Sequence, residues 1–322
     1  MKYVFAPMEG ATTYCYRQAH HQYFGGVDRY YIPFISPTQD HLFTKRELRE
    51  ILPEQNEGLD VVPQLLTKRA EDFIWAAGEL EQMGYSEVNL NAGCPSATVV
   101  TKGKGSGMLK DSLLLDRFLD EVFSAGLKIN ISVKTRLGIE NDDEFWDILE
   151  VYNRYPISQL TIHPRVKKDL YKGCARREMV EQALARTNLS VCYNGDLVTS
   201  RQCLELGEQF PKVDTIMLGR ALLADPALAR KAAGGAGADK DAIGGFLDEI
   251  YHRYCDDFGS DRNAMLRMKE VWFYLIRLFR DSDGYSKKLK KMTDPRVYEG
   301  LVKDILRNLE LKEHLDEDCF QL

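Results

Sequence analysis

"EVNLNAGCPSATVVTKGKGSGMLKD", residues 87–111, begins as a short alternating run and ends on a polar edge. "EVNLN" reads as a strand, Asn91 closes it, and Cys94 stands just beyond, ahead of Pro95 and a glycine- and lysine-rich segment. Working outward, the same pattern of β-rich run and polar end recurs at "KYVFA" (2–6), "YYIPFI" (30–35), "DVVPQLL" (60–66), "INISVKT" (129–135), "QLTIH" (159–163), "SVCYN" (190–194) and "DTIMLG" (214–219). Helix-period segments such as 68–84 and 112–126 fill most of the intervals, with Gly84 and Gly126 placed to stop them. Eight strands alternating with helices predict a (β/α)8 TIM barrel. A doubly wound open sheet also alternates, but it needs fewer strands, and "APMEGAT" after the first run lacks its GxGxxG turn.

A barrel gathers the ends of its strands on one rim, where active sites are built. Those ends carry Pro7, Met8 and Glu9; Gln64; Asn91 and Cys94; Lys134 and Arg136; His163 and Arg165; Asn194, Gly195 and Asp196; and Gly219 with Arg220. Singly, each has an ordinary explanation in turns, solvation or core packing. Together they make a candidate site. The glycines of "YNGDL" and "MLGRALLADP", each between a strand and a helix, suggest an anion cradle completed by Arg220. On its own residues Cys94 could be a packing thiol, a metal ligand, a nucleophile or an acid.

Composition narrows the class. Hydrophobic residues make up 44% of 322, and the net charge is −6, which disfavours nucleic-acid binding over the whole surface. Seven scattered cysteines without a CxxC pair fit neither a disulfide framework nor a zinc knuckle, and no metal is expected. The opening residues and the lack of a long apolar stretch predict a cytoplasmic protein with no membrane partner; a monomer is expected. The expected domains are a barrel over 1–231, a linker over the small-residue stretch 232–245, and an all-α helical domain over 246–322. Between Arg262 and Met292 nine Lys or Arg face three acids, so positive charge is concentrated there, with Lys287 and Lys288 at its centre. That patch reads either as a solvated lysine face or as an RNA contact, Trp272, Phe273 and Tyr274 as helix core, and the acidic 313–318 segment as a frayed tail.

At these residues the chain resembles the tRNA-dihydrouridine synthases, FMN-dependent barrel reductases. The resemblance is carried by "APMEG" (6–10), "QLL" (64–66), "NLNAGCPS" (89–96) with "GKGSGMLKD" (103–111), "SVKTRLG" (132–138), "IHPR" (162–165), "YNGD" (193–196) and "MLGR" (217–220). It implies FMN as cofactor, NADPH as reductant and tRNA as partner. Pro7, Met8 and Glu9 would lie against the flavin largely through backbone atoms, and Gln64 and Lys134 would bond its polar edge. Asn194, Gly195, Asp196, Gly219 and Arg220 would hold its ribityl phosphate, with His163 nearby. Asn91, Arg136 and Arg165 would address the substrate. Where the family commonly has glycine after the histidine, this chain has Pro164, which withdraws one N–H donor.

The resemblance also assigns Cys94. Reducing the uracil 5,6 bond takes hydride at carbon 6 and a proton at carbon 5. An ordinary thiol, with a pKa of about 8.5, is mostly protonated near neutrality and can give that proton. The 101–107 loop would be mobile and close over the base while Lys102 and Lys104 meet phosphate. Two competing readings are an FMN barrel reductase of a small molecule, of the dihydroorotate dehydrogenase kind, and a non-catalytic RNA-binding barrel. The basic helices disfavour the first, and the set of Cys94, Lys134 and Arg220 disfavours the second.

Overall fold

The computed structural model describes residues 1–320. Its strands are β1 (Lys2–Phe5), β2 (Arg29–Ile35), β3 (Val61–Leu65), β4 (Glu87–Ala92), β5 (Asn130–Arg136), β6 (Leu160–His163), β7 (Val191–Tyr193) and β8 (Thr215–Leu218). Each matches its expected run to within one residue at either end. They form one closed barrel in chain order, every neighbouring pair parallel. β8 closes on β1 through pairs such as Tyr3 with Ile216 and Val4 with Met217. The first helices are α1 (Tyr14–Tyr23), α2 (Lys45–Ile51), α3 (Ala70–Gln82), α4 (Ala97–Val100), α5 (Ser112–Ser124), α6 (Glu144–Tyr152) and α7 (Arg177–Leu184). After them come α8 (Ser200–Gln209), α9 (Arg220–Ala224) and α10 (Leu228–Ala232), and then α11 (Lys240–Phe258), α12 (Asp261–Leu275), α13 (Asp283–Lys291) and α14 (Pro295–Asn308).

Local chemistry explains the boundaries. Asp111 accepts from Leu113 N and Leu114 N to start α5, and Thr199 with Gln202 makes a capping box on α8. Gly84 and Gly126 take φ of +94° and +75° just past α3 and α5, a conformation that favours glycine. Along β4, Val88, Leu90 and Ala92 join the main core, while Asn89 and Asn91 bond side chains of neighbouring strands within the barrel. The barrel interior is plugged by Val4, Ala6, Tyr31, Val62, Cys192 and Met217, a cluster apart from the main core. Above that plug the inward positions turn polar.

Two expectations are corrected here. The stretch 232–245 is not all linker, because α11 begins at Lys240, capped by Asp239 accepting from Ala242 N at 2.7 Å. Its Gly245 is there for close packing: a Cβ would lie 2.5 Å from the Tyr23 ring of α1. Phe246 meets Tyr16 and Phe24 edge-on at 5.3 and 5.1 Å, so α11 is fastened to the barrel wall. Nor is the tail frayed. Phe279 and Leu311 form an antiparallel bridge, Lys312 N donates to Leu278 O, and Leu315 is buried. Among the described residues no helix is long and apolar enough to cross a membrane.

Candidate active site

A cavity of about 560 Å³ opens at the C-terminal mouth of the barrel, and each of the eight strands, or the turn directly after it, contributes to its lining. Pro7, Met8, Glu9, Gln64, Asn91, Cys94, Lys134, Arg136, His163, Arg165, Asn194, Gly195, Asp196, Gly219 and Arg220 all border it. Fifteen of the expected residues thus converge on one space. Lys102, Lys104, Lys287 and Lys288 lie outside its lining.

A chain of amide contacts climbs the barrel toward Cys94. Asn89 Nδ2 donates to Ser132 Oγ at 2.9 Å, Gln64 Nε2 to Asn89 Oδ1 at 2.8 Å, and Asn91 Nδ2 to Gln64 Oε1 at 2.8 Å. Asn91 Oδ1 then accepts from Gly93 N and from Cys94 N at 2.9 Å. From the other side, Cys94 O accepts from Ser106 N and Ser106 Oγ. The thiol residue is therefore held from two directions, with the Asn91 side chain bonded to Gln64 as well as to the Gly93 and Cys94 amides. The glycine-rich segment also departs from expectation. Gly105–Lys110 is a packed 3₁₀ turn in which Gly105, at φ +58°, leaves no room for a side chain. A Cβ there would stand 2.8 Å from Cys94 O and 2.9 Å from Val99 Cγ1. Close approach to Cys94 and a positive φ both require glycine here. At the β1 turn, Met8 N donates to Thr12 Oγ1 and Met8 O accepts from Ala11 N and Thr12 N. The Met8 N–H and carbonyl are thus bonded within the turn. Glu9 accepts from Arg46.

Lys134 supplies unmatched charge at the cavity. Its ammonium has no hydrogen bond or ion pair among the described residues, and burial, followed by the nearby Arg136, pulls its pKa down to about 8. An anionic group in the cavity would favour the charged form further. His163 is held neutral, well below its ordinary range, by burial and then by Arg136, Lys134, Arg165 and Arg220. The geometry agrees, since Arg165 Nη1 donates to His163 Nε2 at 3.1 Å and that nitrogen must be bare.

Two arginines expected at the substrate spend most of their donors on the protein itself. Arg136, 1% exposed, donates to the carbonyls of Gly93, Val166 and Leu170 at 2.7 to 3.1 Å. It binds the β4 and β6 loops together. Arg165, 2% exposed, donates to both oxygens of Asp196 and to the carbonyls of Lys172 and Gly173. Asp196, at φ +40°, also accepts from Ala175 N and lies 3.7 Å from Arg220 Nη2. Asn194 Nδ2 donates to Met217 O, tying β7 to β8. The Pro164 carbonyl accepts from Arg176 N at 2.8 Å, and a Cβ at Gly195 would lie 3.4 Å from its Cδ.

Other lining residues carried no sequence signal. Phe34, Tyr171, Arg177 and Phe320 border the cavity. Tyr171 rides on the long connection after β6, with the Arg136 and Arg220 guanidiniums 5.4 and 4.6 Å from its ring centre. Outside the cavity, Lys102 is exposed, and Lys104 is lowered by burial and by Lys102 and Lys68 while Asp72 and Glu47 oppose that. Lys287, Lys288, Lys290 and Lys291 are exposed around buried Leu289. Trp272 is core as expected, but Phe273 is 50% exposed beside Arg277.

The fold and this rim define a parallel-barrel enzyme whose chemistry sits at the C-terminal mouth. The family model described as dihydrouridine synthase (Dus) matches residues 4–305, and the chain belongs to that family of flavin-dependent oxidoreductases. It is 29% identical over 233 residues to "Probable tRNA-dihydrouridine synthase" of Staphylococcus aureus (strain COL), covering 70% of this chain and 69% of the relative. "Probable tRNA-dihydrouridine synthase 2" of Bacillus subtilis (strain 168) is 28% identical over 232 residues, 70% of each. Among solved structures, morphinone reductase superposes with a TM-score of 0.53 at 14% identity, over 76% of this chain and 88% of that one. Histamine dehydrogenase from Rhizobium sp. 4-9 gives 0.56 at 12%, over 77% and 49%. These superpositions speak for the barrel fold.

Proposed function

We propose that this protein reduces the 5,6 double bond of uridines in tRNA, with FMN held at the barrel mouth and NADPH as reductant. The observation that carries the reading is the meeting, in one cavity, of an unpartnered, charge-hungry Lys134 and a thiol residue fixed by Asn91 and Ser106. The residues fit a flavin. The cavity falls within the range of about 300–1,000 Å³ usual for cofactor sites, Lys134 offers a cation to an electron-rich ring edge, and Arg220 offers one to a phosphate. When bound, a reduced flavin supplies hydride. Cys94 holds the proton at Sγ that carbon 5 of the uracil requires. Gln64 bonds Asn89 through Nε2 and Asn91 through Oε1, which leaves one N–H and one lone pair of its amide for the flavin edge. Exposed Lys102 with Lys104, and the lysines of α13, meet RNA phosphates. The chain acts as a monomer in the cytoplasm; a doubled mass by light scattering would overturn the first part.

Cys94→Ala tests the assignment. The variant should keep FMN and still be reduced by NADPH, while single-turnover oxidation by tRNA slows by roughly 10² to 10⁴, the loss usual for one positioned proton donor. Equal rates at equal flavin content would remove Cys94 from the chemistry. A small-molecule reductase would instead leave tRNA unable to oxidise the wild-type protein at all.

A further inference from the structure

The phosphate end of the cavity has a wall that comes from far along the chain. Arg220, whose side chain is 20% exposed, opens α9 directly after β8. Its guanidinium carbon lies 4.6 Å from the centre of the Tyr171 ring and 5.1 Å from that of Phe320. Its polar contacts are both long: Nη1 to Phe320 O at 3.4 Å, and Nη2 to Asp196 Oδ1 at 3.7 Å. Asp196 is already spent on Arg165 and Ala175 N. A fork of five donors with two weak partners keeps its capacity for an anion, and aromatic faces over it restrict the plane it can adopt.

Phe320 is put there by a tail with its own anchors. Arg280 N donates to Glu310 O and Lys312 N to Leu278 O, Lys231 Nζ donates to Glu313 O, and Leu315 is buried. The Phe320 ring then meets Tyr274 at 6.3 Å and Arg277 at 5.3 Å. The same tail brings Glu317 to the cavity lining, an acid that opposes an anion there.

We infer that Phe320 is a positioning residue for the cofactor, orienting Arg220 toward the phosphate so that the C-terminal tail completes the flavin site. The inference rests on the reading that Arg220 meets the FMN phosphate, and the test keeps the two apart. Flavin-free protein is titrated with FMN and with riboflavin, which lacks the phosphate, by quenching of flavin fluorescence. Arg220→Ala should weaken FMN binding roughly 10- to 100-fold, as removal of a charge-assisted hydrogen bond does, and leave riboflavin unchanged. Phe320→Ala should weaken FMN about two- to fivefold, the scale of an exposed cation–π contact, again sparing riboflavin. Phe320→Tyr should restore the wild-type value, and Phe320→Ala should add nothing in the Arg220→Ala background. If Arg220→Ala leaves FMN binding intact, the parent reading fails. If Arg220→Ala matters but Phe320→Ala binds FMN as wild type does, binds it more tightly, or loses both flavins alike, the inference is overturned.

Discussion

Alanine at Gly105 and alanine at Gly126 impose the same backbone cost but very different contacts. Both glycines have positive φ, +58° and +75°. A non-glycine residue in that region costs roughly 1–2 kcal/mol, while alanine's lower unfolded-state entropy returns about 0.4–1 kcal/mol at either site. A Cβ at Gly126 meets nothing within 4 Å, so little more is expected. At Gly105 it would stand 2.8 Å from Cys94 O, 2.9 Å from Val99 Cγ1 and 3.0 Å from Cys94 Cβ. Two of those three atoms belong to a residue held by Asn91 and Ser106, so the strain cannot be relieved by rotating a side chain. Overpacking of this kind adds about 1–3 kcal/mol. Urea unfolding of the two single variants should therefore differ by that amount, Gly105→Ala being the less stable. Because the segment that must yield carries Cys94, turnover on tRNA should fall in Gly105→Ala and not in Gly126→Ala, at equal flavin content. Coincident unfolding midpoints for the two variants would refute the claim that Gly105 is there for close approach.

Lys134→Met addresses charge in the cavity. With a folded pKa of about 8 against an ordinary 10.5, the folded state gives up its proton first as pH rises. Between about 8 and 10.5 the unfolded chain binds the extra proton, so this group makes flavin-free protein gain stability with pH across that window, and below 8 its cost is fully present. The variant should show a flatter rise in that window; parallel profiles would contradict the assignment. Reversing Lys287, Lys288, Lys290 and Lys291 to glutamate should weaken tRNA binding and reduce its salt slope by about 0.7–0.9 for each phosphate no longer neutralised, with flavin content unchanged. An unaltered slope would leave the patch as a solvated helix face.

The barrel was readable because strand runs and polar ends repeat on a short period, and a closed parallel sheet is the one arrangement that brings eight such ends together. Which residues reach the mouth was readable for the same reason. What each does there was not, because a sequence does not say which way a guanidinium turns. Arg136 turns to three backbone carbonyls and Arg165 to Asp196, satisfying buried groups that no motif reports. Composition misled where glycine serves packing: Gly245 reads as linker and Gly105 as mobile loop, yet each lies where a Cβ would strike a neighbour. The acidic tail misled by its charge, since Leu309, Leu311 and Leu315 at short spacing are what dock it.

The seam between α1 and α11 bears on where the chain can be divided. Tyr16 is fully buried with Phe5 of β1 at 5.8 Å on one side and Phe246 of α11 at 5.3 Å on the other. Tyr254 shares a 2.8 Å hydrogen bond with Thr13, the cap of α1. Cutting after Ala232 would bare Tyr16, Phe24 and the Tyr23 ring to water and remove the Tyr254 partner of the Thr13 hydroxyl. Such an apolar face invites self-association. The helices that follow the barrel thus supply part of its outer wall.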